Sequence, residues 1–123
     1  MKLTNRETMQ RALGIIELLK SYSTCKKFLY SQGYAKEYFD ADDTQDSATI
    51  KQYEARINVI ESLIKLLAPS DEYTLLDLHY IKGIPVEKCA EAMQVSRRTA
   101  FRMLKKAHKT IYDTVSEYER SRQ

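Results

Sequence analysis

The stretch PVEKCAEAMQVSRRTAFRMLKKAHK, residues 85–109, decides which fold we expect. Pro85 can open a helix at its first position, because the N–H that proline lacks would have no partner there. The helix runs to Met93 and turns Cys89, Ala90 and Met93 inward. A residue as small as Ala90 allows a second helix to cross closely. The stretch therefore predicts two short-linked helices that cross steeply, a helix-turn-helix.

The turn between these helices is predicted at Gln94-Val95. Val95 would fill the gap between the helices. Gln94 stands at the turn position, where a left-handed backbone is expected at a cost of about 1 kcal/mol for a residue other than glycine. Ser96 is a good N-cap for the last helix, because its hydroxyl can accept a backbone N–H of the first turn.

The last helix of the motif is expected to have one apolar and one cationic face. Between residues 97 and 109 there are six basic residues and no acidic one. Arg98, Arg102, Lys105 and Lys109 are spaced 4, 3 and 4 apart and so share a face, whereas the opposite face carries Ala100, Leu104, Ala107 and Ile111. A helix that buries one side and offers a cationic side suits the DNA major groove.

We therefore predict a DNA interface in which residues near the helix start contact base edges and the later lysines contact phosphates. A basic face that is merely solvated is the alternative. The predicted DNA-binding residues are Ser96, Arg97, Arg98, Thr99, Arg102, Lys105, Lys106 and Lys109. Phe101 lies between the two faces, where it could contact a thymine methyl group or pack against the N-terminal segment. Packing is the commoner role and is the expectation here.

Composition and charge favour an all-α fold with a polyanion partner. The 123 residues are 43% hydrophobic and contain only three Gly and two Pro, which argues against disorder and against a turn-rich β protein. The net charge is +3, but residues 1–81 hold ten Lys/Arg against twelve Asp/Glu, and residues 82–123 hold ten against five. The positive charge thus belongs to the part that holds the motif.

The N-terminal part predicts one long helix followed by an acidic loop. Thr4 and Glu7 form a plausible capping box, and a helix follows to about Gln32, where Gly33 offers a C-terminal stop. Its two adjacent apolar stripes should meet more than one neighbour. Residues 33–47 lose the helical period, and their aspartates do not fit a calcium loop, which needs Gly at its sixth position and Glu at its twelfth.

A second helix is predicted from about Ser47, with the seam Ile50, Tyr53, Ile57, Ile60, Ile64 and Leu67 facing a partner helix. That partner is either the first helix of the same chain, which is the simpler case, or the same helix of a second subunit. Pro69 ends the helix. Ser70 caps a third helix to about Ile81, with Leu75, Leu78 and either Leu76 or Ile81 inside, and Gly83 suits the left-handed position after it.

No catalytic or metal-binding pattern is predicted. Cys25 and Cys89 are far apart in the sequence, and Cys89 is expected to be buried. His79 and His108 have no ligand cluster at suitable spacing and are expected at the surface. We expect no enzyme activity, no cofactor and no metal. Without a signal peptide or an apolar run of about 20 residues, a cytoplasmic protein with no membrane association is expected.

Residues from about 67 to 111 resemble region 4 of the sigma-70 family. The matching features are Pro69-Ser70, Leu75-Leu76-x-Leu78-His79-Tyr80, Lys82-Gly83-Ile84-Pro85, Ala90-Glu91-x-Met93, Val95-Ser96-x-x-Thr99-Ala100 and Leu104-Lys105-Lys106-Ala107. Gln94 departs from the glycine usual at the turn, and Ala100 from the more common Val or Ile. The resemblance implies that the last helix recognises a promoter element of the −35 type, with RNA polymerase as a further partner.

No stretch resembles sigma region 2, so we expect an accessory regulator. Size and architecture resemble the small regulators of Gram-positive phages and prophages of the ArpU/RinA type, which implies control of late genes. We thus predict an N-terminal arm or hairpin, residues 1–47, with a role in association, and a DNA-binding domain, residues 48–123, in a homodimer. The alternatives are a small terminase-like packaging subunit and a sigma-like module that binds polymerase without DNA.

Overall fold

The computed structural model describes residues 5–39 and 47–122, which contain six helices and no strand. This confirms the all-α prediction. The helices are α1 (Asn5–Lys20), α2 (Tyr22–Phe39), α3 (Ser47–Lys65), α4 (Asp71–Leu76, continued by wider π-helical turns over Asp77–Ile81), α5 (Val86–Met93) and α6 (Arg97–Ser121). Among these residues, no helix combines the length and the apolar character that a membrane span requires.

The predicted first helix is two helices, and it does not stop at Gly33. At Ser21 the hydroxyl donates to the Leu18 carbonyl at 2.6 Å, a contact of the kind that bends helices. α2 then continues through Gly33 to Phe39. A glycine inside a helix costs only about 1 kcal/mol relative to alanine, and the good helix formers Ala35, Lys36 and Glu37 follow it. The predicted loop thus begins as helix, while Thr4 and residues 40–46 lie outside the described residues.

The seam of α3 faces α2 of the same chain. Ile57, Ile60 and Ile64 are buried there. At one end of the contact the rings of Phe28 and Tyr53 stack with centroids 4.3 Å apart. The seam is therefore used within the chain, as the simpler of the two predicted arrangements required.

A polar contact joins the same two helices near the other end of the seam. Tyr22 donates its hydroxyl to the Glu61 carboxylate of α3 at 2.8 Å. Burial of the ring, and next the carboxylate, raise the pKa of Tyr22 to about 12. The phenol therefore stays protonated at neutral pH and can donate this hydrogen bond.

One hydrophobic core joins the N-terminal helices to α3, α4 and α6. It consists of the buried residues Leu19, Tyr22, Cys25, Ile57, Ile60, Ile64, Leu76, Tyr80, Ala107 and Ile111. A second, smaller cluster of Val86, Ala90 and Ala100 lies between α5 and α6. Because α1 and α2 share their core with α6, they belong to the folded unit that positions the last helix.

α4 begins and ends as the sequence predicts. The Ser70 hydroxyl caps it by accepting the Tyr73 N–H at 3.1 Å. Leu75 and Leu76 are fully buried, whereas Leu78 is only half-buried. After the π-helical turns, Gly83 takes the predicted left-handed conformation at φ +72°.

The expectation that both histidines lie at the surface is wrong. His108 and Tyr80 meet between α4 and α6, where the Tyr80 hydroxyl lies 2.6 Å from His108 Nε2. Burial lowers the pKa of His108 and raises the pKa of Tyr80 to about 12. The neutral imidazole can therefore accept the phenol proton. His79 Nδ1 lies 2.8 Å from the Ile84 carbonyl.

Candidate nucleic-acid interface

The helix-turn-helix is built on close contact between α5 and α6. Pro85 is the N-cap residue, so α5 begins one position later than predicted, at Val86. Val86 and Ala90 are buried with Ala100 of α6. Small side chains at the contact allow the two helices to approach closely, as predicted. Cys89 is fully buried, as expected, and burial raises the pKa of its thiol.

The turn between the two helices has the geometry that the sequence predicts. Gln94 has φ 59° and ψ 41°, which places it in the left-handed region. The Val95 N–H donates to the Ala90 carbonyl at 3.0 Å, and the Gln94 N–H donates to the Glu91 carbonyl at 3.2 Å. These two bonds form a Schellman motif, which satisfies the last carbonyls of α5. The direction in which α6 leaves the turn is fixed by these backbone bonds.

Ser96 caps α6 as predicted. Its hydroxyl oxygen accepts the Thr99 N–H at 3.0 Å, and its proton goes to the Thr99 hydroxyl oxygen at 2.9 Å. Both residues were predicted to contact DNA, and the structure also gives them a role in starting the helix. Because the Thr99 hydroxyl accepts from Ser96, its own proton remains to be donated outward.

α6 has the two faces that its sequence period predicts. Ala100, Ala107 and Ile111 are fully buried, and Leu104 is half-buried beside them. On the other side the six predicted basic residues are all exposed: Arg97, Arg98, Arg102, Lys105, Lys106 and Lys109. The structure therefore brings all of the predicted cationic side chains onto the solvent side of one helix.

Three of the six cations have carboxylate partners in the chain. Arg97 lies 3.3 Å from Glu87 of α5, and Lys106 lies 3.3 Å from Glu72 of α4. Lys109 donates to Asp113, one turn later on α6, at 2.8 Å, and this hydrogen bond raises the pKa of Lys109. These three positive charges are partly neutralised before any partner binds.

Arg98, Arg102 and Lys105 are the unpaired cations of the face. Among the side chains of residues 6–33 and 48–122, no carboxylate lies within ion-pair distance of them. They occupy positions i, i+4 and i+7 of α6, so they form a row about 10 Å long on one side of the helix. We call Arg98, Arg102 and Lys105 the unpaired row. It concentrates the positive charge that the fold leaves uncompensated.

Among the side chains of residues 6–33 and 48–122, Phe101 is not one of those packed against the core, so the favoured expectation that it packs against the N-terminal segment is not confirmed. Its side chain is 42% exposed and belongs to neither core cluster. The guanidinium of Arg97, one turn earlier, lies 5.4 Å from the centroid of its ring. The sequence period placed Phe101 at the edge of the buried face, and the structure places it beside the cations.

A metal centre is not formed by the described part of the chain. There, no three or more His, Cys, Asp and Glu side chains come together in a way that could hold a metal ion. Tyr80 and His108 form a pair between α4 and α6 that sequence reasoning missed.

Comparison with known families gives one match. The family model for ECF sigma factors matches residues 33–117, more than two thirds of the chain. No curated protein and no solved structure matches. The matched region runs from within α2 to near the end of α6, and it includes every predicted DNA-binding residue. ECF sigma factors are non-enzymatic regulators, and the match supports the sigma region 4-like nature of the module. The chain belongs to the ECF sigma factor family.

Proposed function

We propose that this protein binds duplex DNA at a specific sequence through α6 and thereby regulates transcription from a promoter-type site. The observation that carries the proposal is the unpaired row, displayed on a helix whose opposite side is buried. A structural helix corner does not need three uncompensated cations in line. A DNA-binding helix does, because each phosphate that it contacts releases a counterion.

The dimensions of α6 suit the major groove. An α-helix with its side chains is about 10–12 Å across, and the groove is about 12 Å wide. Arg98 and Arg102 lie in the first two turns, from which base edges are usually reached, and arginine can donate two hydrogen bonds to one guanine. Lys105, Lys106 and Lys109 lie farther along and suit phosphates.

The three paired cations take part by exchanging a carboxylate for a phosphate. All three pairs involve exposed ammonium or guanidinium groups, and exposed ion pairs contribute little to stability. Lys106 and Lys109 can therefore turn to phosphates, but the carboxylate of each stays nearby and offsets its charge, so we expect the unpaired row to contribute most of the salt dependence. Arg97 is held by both Glu87 and Phe101, so it is the cation that we expect to move least.

Duplex binding tests the proposal directly. In mobility-shift assays on duplex fragments selected by the protein, the wild-type protein should bind with an affinity that falls as salt rises. Arg98→Ala combined with Arg102→Ala should greatly weaken binding. The matched control, Lys27→Ala with Lys51→Ala, removes the same charge from exposed positions on α2 and α3 and should bind as the wild type does.

Two results would contradict the proposal. One is an affinity and salt dependence that the arginine variant shares with the wild type. The other is binding to RNA polymerase without any duplex binding at low salt, which would instead favour an interaction module that keeps the sigma-like fold.

The proposal includes a homodimer joined through the N-terminal segment. In the proposed homodimer, residues 48–123 bind DNA and residues 1–47 mediate association, although the two segments share one hydrophobic core. The support is on α1, where Met9 and Leu13 lie one turn apart and are 66% and 54% exposed. Because the α3 seam is used within the chain, a dimer needs another apolar surface, and this one is available.

Sedimentation of Leu13→Glu tests this association. A charge at Leu13 should convert a wild-type dimer into a monomer without loss of helicity, because the side chain is exposed in the single chain. A variant with the wild-type mass would contradict the role of α1. A wild-type ring of many subunits would contradict the dimer and would favour a packaging protein of the small terminase kind.

We further propose that the regulated genes are late genes of a phage or prophage and that the protein acts in the cytoplasm with the host RNA polymerase. The support is the resemblance in architecture to regulators of the ArpU/RinA type. Lysis, portal or terminase genes next to the coding sequence would support this setting, and a locus without any phage genes would count against it.

A further inference from the structure

Phe101 is an exposed aromatic ring within a cationic surface. It follows Arg97 by one turn and precedes Lys105 by one turn, so charged side chains lie on either side of it along the helix. Phe101 is 42% exposed and belongs to neither core cluster. On the helix circumference it lies about 60° from Arg98, on the side away from Arg102. The ring therefore points toward the same partner as the unpaired row.

The ring is held in position by a chain of contacts from α5. Glu87 pairs with Arg97 at 3.3 Å, and the Arg97 guanidinium lies 5.4 Å from the ring centroid, within the range of a cation–π contact. An aromatic side chain has few rotatable bonds, and this contact restricts it further. These contacts favour one orientation of the Phe101 ring at the surface, which helps discrimination between similar partners.

The edge of each base pair in the major groove carries a known set of chemical groups. Most of them are hydrogen-bond donors and acceptors, which a phenyl ring cannot satisfy. The apolar group among them is the C5-methyl of thymine, and apolar side chains such as phenylalanine contact it. Insertion of an aromatic wedge between bases is a minor-groove device and does not fit a helix in the major groove.

We propose that Phe101 is a specificity-determining residue that recognises the C5-methyl group of a thymine beside the bases contacted by Arg98. This inference rests on the proposed function, because it requires α6 to lie in the major groove. It adds a definite feature to the DNA site. At least one thymine must be preferred for its methyl group and not for its hydrogen bonds.

The test replaces thymine by deoxyuridine, which lacks only the methyl group and keeps the same hydrogen-bonding edge. A duplex site is first selected with the wild-type protein, and each thymine in it is then replaced singly. At one or two positions the wild-type affinity should fall about four-fold, the value of one buried methyl group. Phe101→Ala should bind the thymine and deoxyuridine duplexes equally at those positions and should keep the wild-type salt dependence.

Tyr118→Ala is the matched control. Tyr118 is 63% exposed on the same helix, and the guanidinium of Arg122 lies 5.8 Å from its ring, so it is also an aromatic–arginine pair four residues apart. It lies about 25 Å farther along the helix axis than Phe101. The Tyr118 variant should therefore keep the full preference for the thymine duplex. Loss of that preference in this variant as well would overturn the assignment to Phe101.

The outcomes separate this inference from the proposed function. Absence of duplex binding by the wild-type protein would refute the proposed function itself, and the inference with it. Duplex binding with no methyl preference at any position would overturn the role of Phe101 alone. An equal preference for thymine over deoxyuridine in the wild-type protein and in Phe101→Ala would overturn the role of Phe101 as well. Tighter wild-type binding to a single strand than to the duplex would indicate that the ring stacks on unpaired bases, and it would also overturn the inference.

Discussion

The division of the α6 cations into paired and unpaired groups predicts how strongly salt weakens DNA binding. If only the three charges of the unpaired row displace counterions from the duplex, at phosphates or at base edges between them, the logarithm of affinity falls with the logarithm of salt concentration with a slope of about −2.7. Affinity then drops about 40-fold between roughly 50 and 200 mM salt. If all six cations contact phosphates, the slope is about −5.4 and the drop is about 1,800-fold.

Two variants change this slope in opposite directions. Arg98→Ala with Arg102→Ala leaves one cation of the row, so the slope should fall to about −0.9 and the loss over the same range to about 3.5-fold. Asp113→Asn removes the carboxylate that holds Lys109 at 2.8 Å. It frees a fourth cation on the same face and should steepen the slope by up to about 0.9.

Fluorescence anisotropy of a labelled duplex, titrated at four salt concentrations, measures these slopes. The three proteins should rank Asp113→Asn, wild type and the double arginine variant, from steepest to shallowest. An unchanged slope in the double variant would refute the assignment of Arg98 and Arg102. A wild-type slope near −5.4 would refute the division, because the paired cations would then contribute as much as the unpaired ones.

Three further predictions concern stability. Gln94→Gly should raise the free energy of unfolding by about 0.5–1 kcal/mol, measured by urea denaturation, because glycine adopts the left-handed turn without a Cβ penalty. Ile60→Ala should lower it by about 2–5 kcal/mol, because a fully buried side chain leaves a cavity; a smaller loss would mean that the α2–α3 contact is loose. The third concerns His108: burial lowers its pKa in the folded protein below the ordinary 6.5, so the unfolded chain binds more protons and stability should fall as pH decreases below 6.5. Thermal melts of His108→Gln should show a weaker pH dependence there, and a dependence equal to that of the wild type would contradict the assignment.

The helix-turn-helix could be predicted because its determinants are local. The Ser96 cap and the left-handed Gln94 follow from residues within one turn of each other. The buried face of α6 follows from the spacing of Ala100, Ala107 and Ile111 alone. Each of these features depends on near neighbours in the sequence, so the pattern of residue types was sufficient.

The sequence predicts only in part which of the cationic side chains of α6 form ion pairs. Lys109 and Asp113 are four residues apart, a spacing at which a helix brings opposite charges together, so this pair was visible in the sequence. Lys106 and Glu72 are 34 positions apart in the sequence, and their contact depends on how α4 packs on α6. The sequence thus indicated a basic face, and the fold determines which of its charges are free.

The N-terminal helices and the histidines show a second limit of prediction from the sequence. A single Gly33 was taken as a helix end, but its cost of about 1 kcal/mol is small beside the rest of an 18-residue helix. His108 was expected at the surface because nothing near it in the sequence suggested a partner. Tyr80, its partner, comes from another helix, and such a contact follows only from the tertiary packing.

The length of α6 has a consequence for the spacing of operator half-sites. The helix is unbroken for 25 residues, and near its C-terminal end Glu119 is paired with Arg11 of α1. Arg98 and Glu119 are therefore separated by about 30 Å of continuous helix. A dimer joined through α1 would hold its two DNA-contacting ends at one fixed distance and one fixed rotation. Such a dimer accepts half-sites whose centres are a whole number of DNA turns apart, about 10–10.5 base pairs each, and an insertion of half a turn would place the second half-site on the far side of the duplex.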